Sequence, residues 1–332
     1  MRNTRVVLTA LGGPEVLKVI EDDIRDPGAN ELRIRILACG VAFADVLMRR
    51  GLYSGVPPLP YSPGYDIVGV VDSCGTGVMR WKPGDWVAAL TQTGGYSRFI
   101  VLPESALVPV PAGLDPAETV SLVLNYTTAY QLIHRIAKLR RGESVLIHGA
   151  AGGVGTAALQ LGSLAGLKMF GTASKPKHNL VAALGGIPID YRTEDFVRRA
   201  AGVDAVFDPI GGRNWPRSYR ALGKGGRFIG YGISAAIEGG RRHMMLAGAS
   251  FAWLGLAGLV PGKSTRWYNI VTEKKKHPEW FREDLSRLLA MLQEKSICPV
   301  VAERLPLRDA GRAHELLERA SVSGKIVLMC QE

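Results

Sequence analysis

Three glycines at fixed spacing are the first residues in this sequence that could bind a reactive ligand, because together they could hold the phosphates of a dinucleotide. Gly149, Gly152 and Gly155 follow an apolar run at 145–147 and precede an Ala/Leu-rich segment. In such a strand–turn–helix unit, one glycine permits the turn, one lets backbone N–H groups approach a pyrophosphate, and one lets the helix lie close on the strand. In a chain with 40 glycines the triplet alone would suit ordinary turns equally well, but the flanking strand and helix favour a phosphate loop.

The segment after the next strand indicates which nicotinamide cofactor would bind. An NAD-specific site places Asp or Glu roughly 20 residues past the loop, where it accepts hydrogen bonds from the ribose. The sequence Thr172-Ala173-Ser174-Lys175-Pro176-Lys177 has no acid there and two lysines. The two ammonium groups favour the 2′-phosphate of NADP, although lysines at a helix start could also be merely solvated.

Two side chains are candidates for a general acid, Tyr53 in a Gly/Pro-rich loop and, less favoured, Asp45. A phenol can donate a hydrogen bond or a proton to an oxygen where negative charge develops. Tyr53 could equally serve only in packing. No Ser-His-Asp or Cys-His motif is recognisable, and hydride transfer does not need one because the cofactor carries that reaction.

Bulk properties restrict the class of protein. The 332 residues suffice for two domains, and the net charge of +11 comes from scattered basic residues without a nucleic-acid-binding motif. We therefore expect no nucleic-acid partner, and a basic surface would help to attract a polyanionic cofactor. Four separated cysteines without a C-x-x-C pair and the absence of a signal peptide lead us to expect a cytoplasmic protein.

The order of apolar runs predicts two kinds of sheet. Short β-branched runs separated by Gly, Pro and Asp clusters fill the first 120 residues and indicate an antiparallel, barrel-like β domain. Strands then alternate with helices, which indicates a doubly wound parallel sheet. The predicted strands lie at 5–8, 32–37, 67–71, 86–88, 99–102, 145–147, 168–172, 187–189, 205–207, 227–229, 267–271 and 325–329. The predicted helices lie at 117–137, 177–184, 215–222, 278–295 and 306–321.

The most apolar run, at 244–260, carries no charged residue. It is at the lower limit of a transmembrane helix, which needs roughly 17–25 residues. Its place between the fifth and sixth strands of one sheet argues against a membrane span, so we expect a soluble protein. We expect the run to form a lid over an acceptor pocket, a subunit contact, or both. Its large side chains would then give the pocket a preference for bulky hydrophobic acceptors: Met244, Met245, Phe251 and Trp253.

Several segments in order resemble one family along nearly the whole chain. They include GLYSGVPPLPYSPGYDIVGVV (51–71), GGYSRFIVLPES (94–105), LNYTTAYQLI (124–133), VDAVFDPIGG (203–212) and SGKIVL (323–328). These segments are similar to the medium-chain dehydrogenase/reductase superfamily, in its zinc-free quinone oxidoreductase branch. The stretch that begins at PKHNL also resembles the vesicle-amine-transport-protein-like subgroup.

The resemblance implies a GroES-like β-barrel catalytic domain (1–122 and 297–332) around a Rossmann NADP-binding domain (123–296), and a homodimer that pairs through the sixth strand. It implies an NADPH-dependent reductase that passes hydride to a quinone or an α,β-unsaturated carbonyl. The alternative is a non-catalytic or weakly catalytic NADPH-binding protein that acts at membranes.

The resemblance also implies the residues around NADPH. Lys177 and Tyr191 would hold the 2′-phosphate, while Asn125 and Thr128 would lie beside the nicotinamide. Asn125 could in addition cap the following helix. The full expected set is Phe43, Asn125, Thr128, Gly149, Ala150, Gly152, Gly153, Val154, Gly155, Ser174, Lys177, Tyr191, Ile210, Tyr231, Gly232 and Ile233.

Two positions argue against a metal mechanism. Zinc-dependent relatives have a cysteine ligand where this chain has Ala42, and a Gly-His-Glu motif where it has Gly64-Tyr65-Asp66. A catalytic zinc usually needs three protein donors, and neither alanine nor tyrosine supplies the expected thiolate or imidazole. Ala42 also replaces an asparagine that many quinone oxidoreductases have. We expect Cys39 to be a small core residue.

We predict that the purified protein contains no stoichiometric zinc and keeps its activity in the presence of chelators, because Ala42 and Tyr65 occupy the ligand positions. Elemental analysis of the purified chain measures the zinc content. Stoichiometric zinc, or loss of activity on chelation, would contradict the prediction.

Overall fold

A computed structural model describes residues 1–236 and 240–331, with the backbone alone for residues 240–247. The described strands, in chain order, are β1 (Arg2–Leu8), β2 (Leu17–Asp23), β3 (Glu31–Val41), β4 (Asp66–Cys74), β5 (Trp86–Leu90), β6 (Phe99–Pro103), β7 (Val108–Pro109), β8 (Ser144–Ile147), β9 (Lys168–Ala173), β10 (Gly186–Asp190), β11 (Val203–Asp208), β12 (Leu222–Gly230), β13 (Ser264–Trp267), β14 (Val301–Pro306) and β15 (Lys325–Met329).

Helices connect these strands. The described α-helices are α1 (Phe43–Arg49), α2 (Pro116–Ser121), α3 (Thr127–Tyr130), α4 (Gly153–Leu164), α5 (His178–Ala183), α6 (Phe196–Arg199), α7 (Asn214–Ala221), α8 (Gly240–Ala257), α9 (Ile270–Lys276), α10 (Pro278–Gln293) and α11 (Ala310–Glu318). Wider π-helical turns flank α3 at Leu122–Tyr126 and Gln131–Ile136. Short 3₁₀ turns lie at Pro14–Val16, Glu104–Ala106, Lys175–Lys177, Ser234–Ala236 and Leu307–Asp309.

The chain forms two compact units, Met1–Thr127 together with the chain from Glu279 onward, and Thr128–Pro278. These boundaries differ from those predicted at 122/123 and 296/297. The larger difference concerns α10, which belongs to the first unit, where Arg282 donates a hydrogen bond to the carbonyl of Ser105 (2.7 Å).

The first unit is built around β3. Its edge is paired by β6 along residues 31–35 and by β15 along residues 38–41, while β4 pairs its other edge. All of these pairings are antiparallel, and the strand order β14-β15-β3-β4-β5-β7 confirms a β domain to which both ends of the chain contribute. Leu32, Ile34 and Ile36 alternate along β3 and are fully buried, as expected where one face of a sheet covers a core.

The second unit is a six-stranded parallel sheet of order β10-β9-β8-β11-β12-β13. The order reverses between β8 and β11, so the chain leaves the sheet in opposite directions at their carboxyl ends. This is the position where open parallel sheets bind ligands. The predicted α/β fold class, with a doubly wound parallel sheet and a separate GroES-like β domain, is confirmed.

The predicted sixth strand at 267–271 is wrong in its bounds. The strand is β13, which ends at Trp267, and α9 begins at Ile270. The Asn269 side chain caps α9 by accepting a hydrogen bond from the Thr272 N–H (3.0 Å). An asparagine N-cap satisfies one of the free N–H groups of a helix, so it favours a helix start at this point.

The apolar run predicted as a lid falls largely on α8, and the side chains of Met244 and Met245 lie outside the described residues. Trp253 instead packs against the rings of Trp215, Tyr219 and Phe228, with centroids 5.6–6.5 Å apart. Trp253 therefore packs, partly buried, against the aromatic core of its own unit, and its place at an acceptor pocket stays a prediction.

The far end of this run remains apolar and exposed. Leu256 and Leu259 are 67% and 79% exposed. Even so, no helix in the described part of the chain is long and apolar enough to cross a membrane.

Candidate active site

The glycine loop has the geometry that its spacing predicts. Gly149 follows β8 with φ of 63°, a left-handed conformation that glycine adopts without strain. A side chain at Gly155 would bring its Cβ within 2.3 Å of the Gly149 carbonyl oxygen and 2.6 Å of the Ala150 Cα. Only a glycine at position 155 therefore lets α4 lie this close to the loop.

The first turn of α4 contains backbone N–H groups that have no hydrogen-bond acceptor within the helix. The first N–H groups of any α-helix have no intrahelical partner, and here they belong to Gly153, Val154 and Gly155. The cap residue Gly152 has no side chain that could accept their hydrogen bonds. Converging N–H groups at the positive end of a helix dipole are well suited to bind a phosphate group.

A buried chain of hydrogen bonds supports this loop from beneath. Ser218 donates to a carboxylate oxygen of Asp208 (2.7 Å) and lies 2.9 Å from His148 Nε2, while Thr172 Oγ1 lies 3.1 Å from His148 Nδ1. Because the Ser218 proton goes to Asp208, His148 must donate through Nε2 and accept from Thr172 through Nδ1. Thr172 Oγ1 in turn accepts from the Gly149 N–H (3.3 Å).

Burial lowers the pKa of His148, so the neutral ring required by this pattern is also the favoured form. Ser218, His148 and Asp208 thus lie within hydrogen-bond distance in the fold, although no sequence motif predicted this arrangement. His148 is 2% exposed and Ser218 and Asp208 are fully buried, so this is a structural network and not a nucleophile open to substrate.

The residues expected around the 2′-phosphate follow adjacent strand ends. Asp190 and Ala173 are register partners in β10 and β9, so Tyr191 and Ser174, the residues that follow them, leave the sheet side by side. Tyr191 is 52% exposed. Lys177 is half-buried, and this burial lowers the pKa of its ammonium group.

The other expected residues of the second unit follow β11 and β12. The Asp208 carboxylate accepts a hydrogen bond from the Ile210 N–H (2.7 Å), and the Tyr231 N–H donates to the Asp208 carbonyl (3.0 Å). Gly232 and Ile233 continue from there. Thr128 of α3 is 4% exposed, and Ala150 in the glycine loop is fully buried.

Asp45 is enclosed in the first unit. Its carboxylate accepts hydrogen bonds from the N–H groups of Ala42 (2.8 Å) and Gly64 (3.0 Å), so it ties the start of α1 to the loop before β4. Desolvation raises the pKa of Asp45 to about 7, although the two backbone donors oppose that rise. Phe43, the first residue of α1, is half-buried.

A second hydrogen-bond chain leads away from Asp45. Arg49 Nε donates to His314 Nδ1 (3.2 Å), which leaves the His314 Nε2 proton to bind the Tyr96 hydroxyl oxygen (3.0 Å). The Tyr96 hydroxyl in turn donates a long hydrogen bond to Asp45 Oδ2 (3.4 Å). Burial lowers the pKa of His314 to about 3, so its ring is neutral, and Arg49 also pairs with Glu318 (2.6 Å).

Tyr53 lies beside the residue that replaces the histidine of zinc-dependent relatives. Its hydroxyl is 2.7 Å from the hydroxyl of Tyr65, and the two rings meet edge to face at 6.3 Å. Tyr65 is 2% exposed, whereas Tyr53 is half-buried. The buried phenol therefore holds the more accessible one in place.

Lys325 is a site residue that the sequence reasoning missed. Its ammonium lies 3.0 and 3.3 Å from the two carboxylate oxygens of Asp66 and 3.3 Å from Asn125 Oδ1. A lysine at the start of an otherwise apolar closing strand, KIVLM, was the available signal, because a charge in such a strand needs a buried partner. Burial raises the pKa of Asp66 against the opposing effect of this ammonium.

Three comparisons with known proteins agree on the family, two of them over nearly the whole chain. Residues 28–112 match the family described as alcohol dehydrogenase GroES-like domain, and residues 186–328 match the one described as zinc-binding dehydrogenase. Among the described residues, however, no group of three or more His, Cys, Asp or Glu side chains could hold a metal ion.

Two kinds of name recur among the similar proteins. The synaptic vesicle membrane protein VAT-1 homolog of Mus musculus is 33% identical, over 98% of this chain and 83% of its own length. The quinone oxidoreductase of Rattus norvegicus is 33% identical, over 99% of this chain and 98% of its own. The crystal structure of Escherichia coli quinone oxidoreductase complexed with NADPH has a TM-score of 0.87 at 30% identity, and covers 98% of this chain and 99% of that one.

We predict that Asp45 lowers stability as pH rises. A carboxyl whose pKa is raised to about 7 on folding disfavours its ionised form in the native state, so its contribution is fully present below about pH 4 and is lost towards pH 7. The free energy of unfolding of wild type minus that of Asp45→Asn should therefore fall by up to about 1.4 kcal/mol per pH unit across this range. Urea unfolding of both proteins from pH 4 to 8 measures the difference, and a constant difference would contradict it.

Proposed function

The chain belongs to the medium-chain dehydrogenase/reductase superfamily, in its quinone oxidoreductase and VAT-1 branch, and we propose that it is a zinc-independent, NADPH-dependent oxidoreductase. The acceptor would be a quinone or the β-carbon of an α,β-unsaturated carbonyl. The observation that carries this proposal is the start of α4, where backbone donors converge without a side-chain cap. Such a site fits the pyrophosphate of a dinucleotide.

Residues after β9 and β10 support the phosphorylated cofactor. Lys177 and Tyr191 follow neighbouring strand ends, and no acidic residue occupies the end of β9. An ammonium group there would form charge-assisted hydrogen bonds with a 2′-phosphate, which are stronger than its hydrogen bonds with the neutral ribose hydroxyls of NADH. NADPH, when bound, supplies the hydride and its two electrons.

The chain would contribute orientation and polarisation. Tyr53 presents a half-buried phenol whose hydroxyl contacts that of Tyr65, so it suits a donor to the acceptor oxygen. Asp45 suits that role less well, because it is fully buried and already accepts hydrogen bonds from two backbone N–H groups. We assign Asp45 to positioning of the loop before β4.

Two contacts support a reaction without zinc. Tyr65, at the position of the histidine ligand, uses its hydroxyl to bind Tyr53. Asp66, at the position of the glutamate, has an ammonium group against both carboxylate oxygens. A second cation beside Lys325 would be repelled at this carboxylate.

The proposed assembly is a cytoplasmic homodimer that pairs through β13, one of the two edge strands of the parallel sheet. The similarity to VAT-1 homologs favours a second candidate, an NADPH-binding protein with little or no turnover that acts at membranes. The exposed Leu256 and Leu259 would suit a peripheral contact with lipid.

We predict that NADPH binds more tightly than NADH and that Lys177→Ala removes most of the difference. A charge-assisted hydrogen bond near 1.5 kcal/mol corresponds to a preference of roughly tenfold. Fluorescence titration with both cofactors measures the two dissociation constants. Lys224→Ala, at an exposed lysine of β12, is the matched control and should leave their ratio unchanged; equal affinities in wild type would refute the assignment.

A panel of quinones and enones tests the reaction itself. Loss of NADPH absorbance at a rate that saturates with one acceptor class would support the oxidoreductase. NADPH binding without turnover on any acceptor, together with sedimentation on anionic lipid vesicles, would support the second candidate instead.

A further inference from the structure

The side-chain amide of Asn125 has a defined orientation. Asn125 lies on the π-helical turn Leu122–Tyr126, is 7% exposed, and has its Oδ1 3.3 Å from Lys325 Nζ. An ammonium group has hydrogen-bond donors only, so it can be faced by the amide oxygen but not by the amide NH₂. The two ends of an asparagine amide are usually hard to distinguish, but here the chemistry of the neighbour decides between them.

The NH₂ end is consequently left for another partner. No described residue accepts a hydrogen bond from Asn125 Nδ2. A widened π turn also places a side chain off the register of a regular helix, and such turns occur often at functional sites. The structure thus presents an oriented donor on an irregular turn.

Lys325 is itself held rigidly. It is 3% exposed and Asp66 is fully buried, so bulk solvent screens the ion pair between them only weakly. The neighbouring strand leaves room for the pair only because residue 40 is glycine. A Cβ there would lie 2.4 Å from Lys325 Nζ and 2.5 Å from Asp66 Oδ1.

We propose that Lys325, held by Asp66, is a positioning residue that fixes Asn125 as a hydrogen-bond donor to a carbonyl oxygen. The inference rests on the proposed function, because two carbonyl groups would be present in that reaction: the carboxamide of the nicotinamide and the carbonyl of a quinone or enone acceptor. The acceptor carbonyl gains negative charge when hydride arrives, and a preorganised N–H donor stabilises that charge.

The first test is Asn125→Asp, which keeps the size of the side chain and the contact with Lys325 but removes the donors. We expect the unfolding midpoint to fall, because a second buried carboxylate then faces a single ammonium group, and kcat/KM or NADPH affinity of the folded variant to fall by at least roughly tenfold at pH 8. Lowering the pH should restore part of the loss, since a protonated carboxyl regains an O–H donor. Unchanged binding and kinetics in Asn125→Asp would overturn the proposal.

The affected quantity identifies the carbonyl. A weaker dissociation constant for NADPH, measured by fluorescence without acceptor, would indicate the carboxamide. An unchanged NADPH affinity with lower kcat or higher KM for the acceptor would indicate the acceptor carbonyl. Either result supports the role of Asn125 as a donor.

The second test asks whether Lys325 acts through Asn125. Lys325→Met alone would leave Asp66 buried without its partner, so Asp66→Asn/Lys325→Met, which removes both charges, provides a background that can fold. We expect Asn125→Ala to lower kcat/KM and NADPH affinity in this background, but by a factor several-fold smaller than the factor by which it lowers them in wild type. Equal costs in the two backgrounds would show that the residues act independently and would overturn the positioning role.

Lys82→Met, at an exposed lysine of the same unit, is the control and should change none of these quantities. The outcomes separate this inference from the proposed function. If wild type binds no NADPH, the proposed function fails. If wild type binds NADPH and the Asn125 variants behave like wild type, only the present inference fails.

Discussion

Burial of the charges on Asp66 and Lys325 is the constraint on which the first unit depends. Removing two charges from water costs more free energy than their attraction returns unless the geometry is good and the remaining donors and acceptors are satisfied. Here both carboxylate oxygens and the Asn125 oxygen surround one ammonium group, and a glycine clears the space. The pair joins β4 to β15 across β3 and contacts Asn125 on the turn before α3, so the contact that links these strands also orients this amide.

The second unit also buries a carboxylate, but there neutral hydrogen-bond donors stabilise it. Asp208 is fully buried and is held by hydrogen bonds from Ser218, Asn214 and the Ile210 N–H. The chain of neutral donors continues through His148 and Thr172 to the glycine loop. Two segments that leave different strands are thereby fixed relative to each other. Polar networks of this kind are stable when every member is satisfied, and each member here has a partner.

Periodicity and glycine spacing were enough to predict most of the fold. The strand–glycine–helix unit at 145–166 and the closing strand at 325–329 followed from local signals that residues carry in their own sequence. The end of β13 was misplaced because an Asn cap, not hydropathy, decides where α9 begins. The contacts of Trp253 with an aromatic core were not predictable, because an apolar helix residue looks the same in sequence whether it faces a pocket or a core.

The site was less predictable than the fold because its contacts join distant residues. Asn125 and Lys325 are 200 positions apart, and nothing in either local sequence records that they meet. The family resemblance placed Asn125 near the reacting centre, but it did not indicate whether the oxygen or the NH₂ group of its amide is available to a ligand. The orientation of the amide becomes defined only in the folded chain, where the Lys325 ammonium, which can only donate hydrogen bonds, lies against it.

The position of β15 in the chain has a consequence for synthesis on the ribosome. The second unit is one continuous segment, so its parallel sheet can assemble while the following residues are still being made. The first unit has to wait for β15, which supplies the ammonium group opposite Asp66 and pairs the edge of β3. During that interval a carboxylate and part of a strand edge lack their partners, and nascent chains with such features are substrates for chaperones and prone to aggregate. A strand made after the whole second unit is thus the one that covers part of the edge of β3.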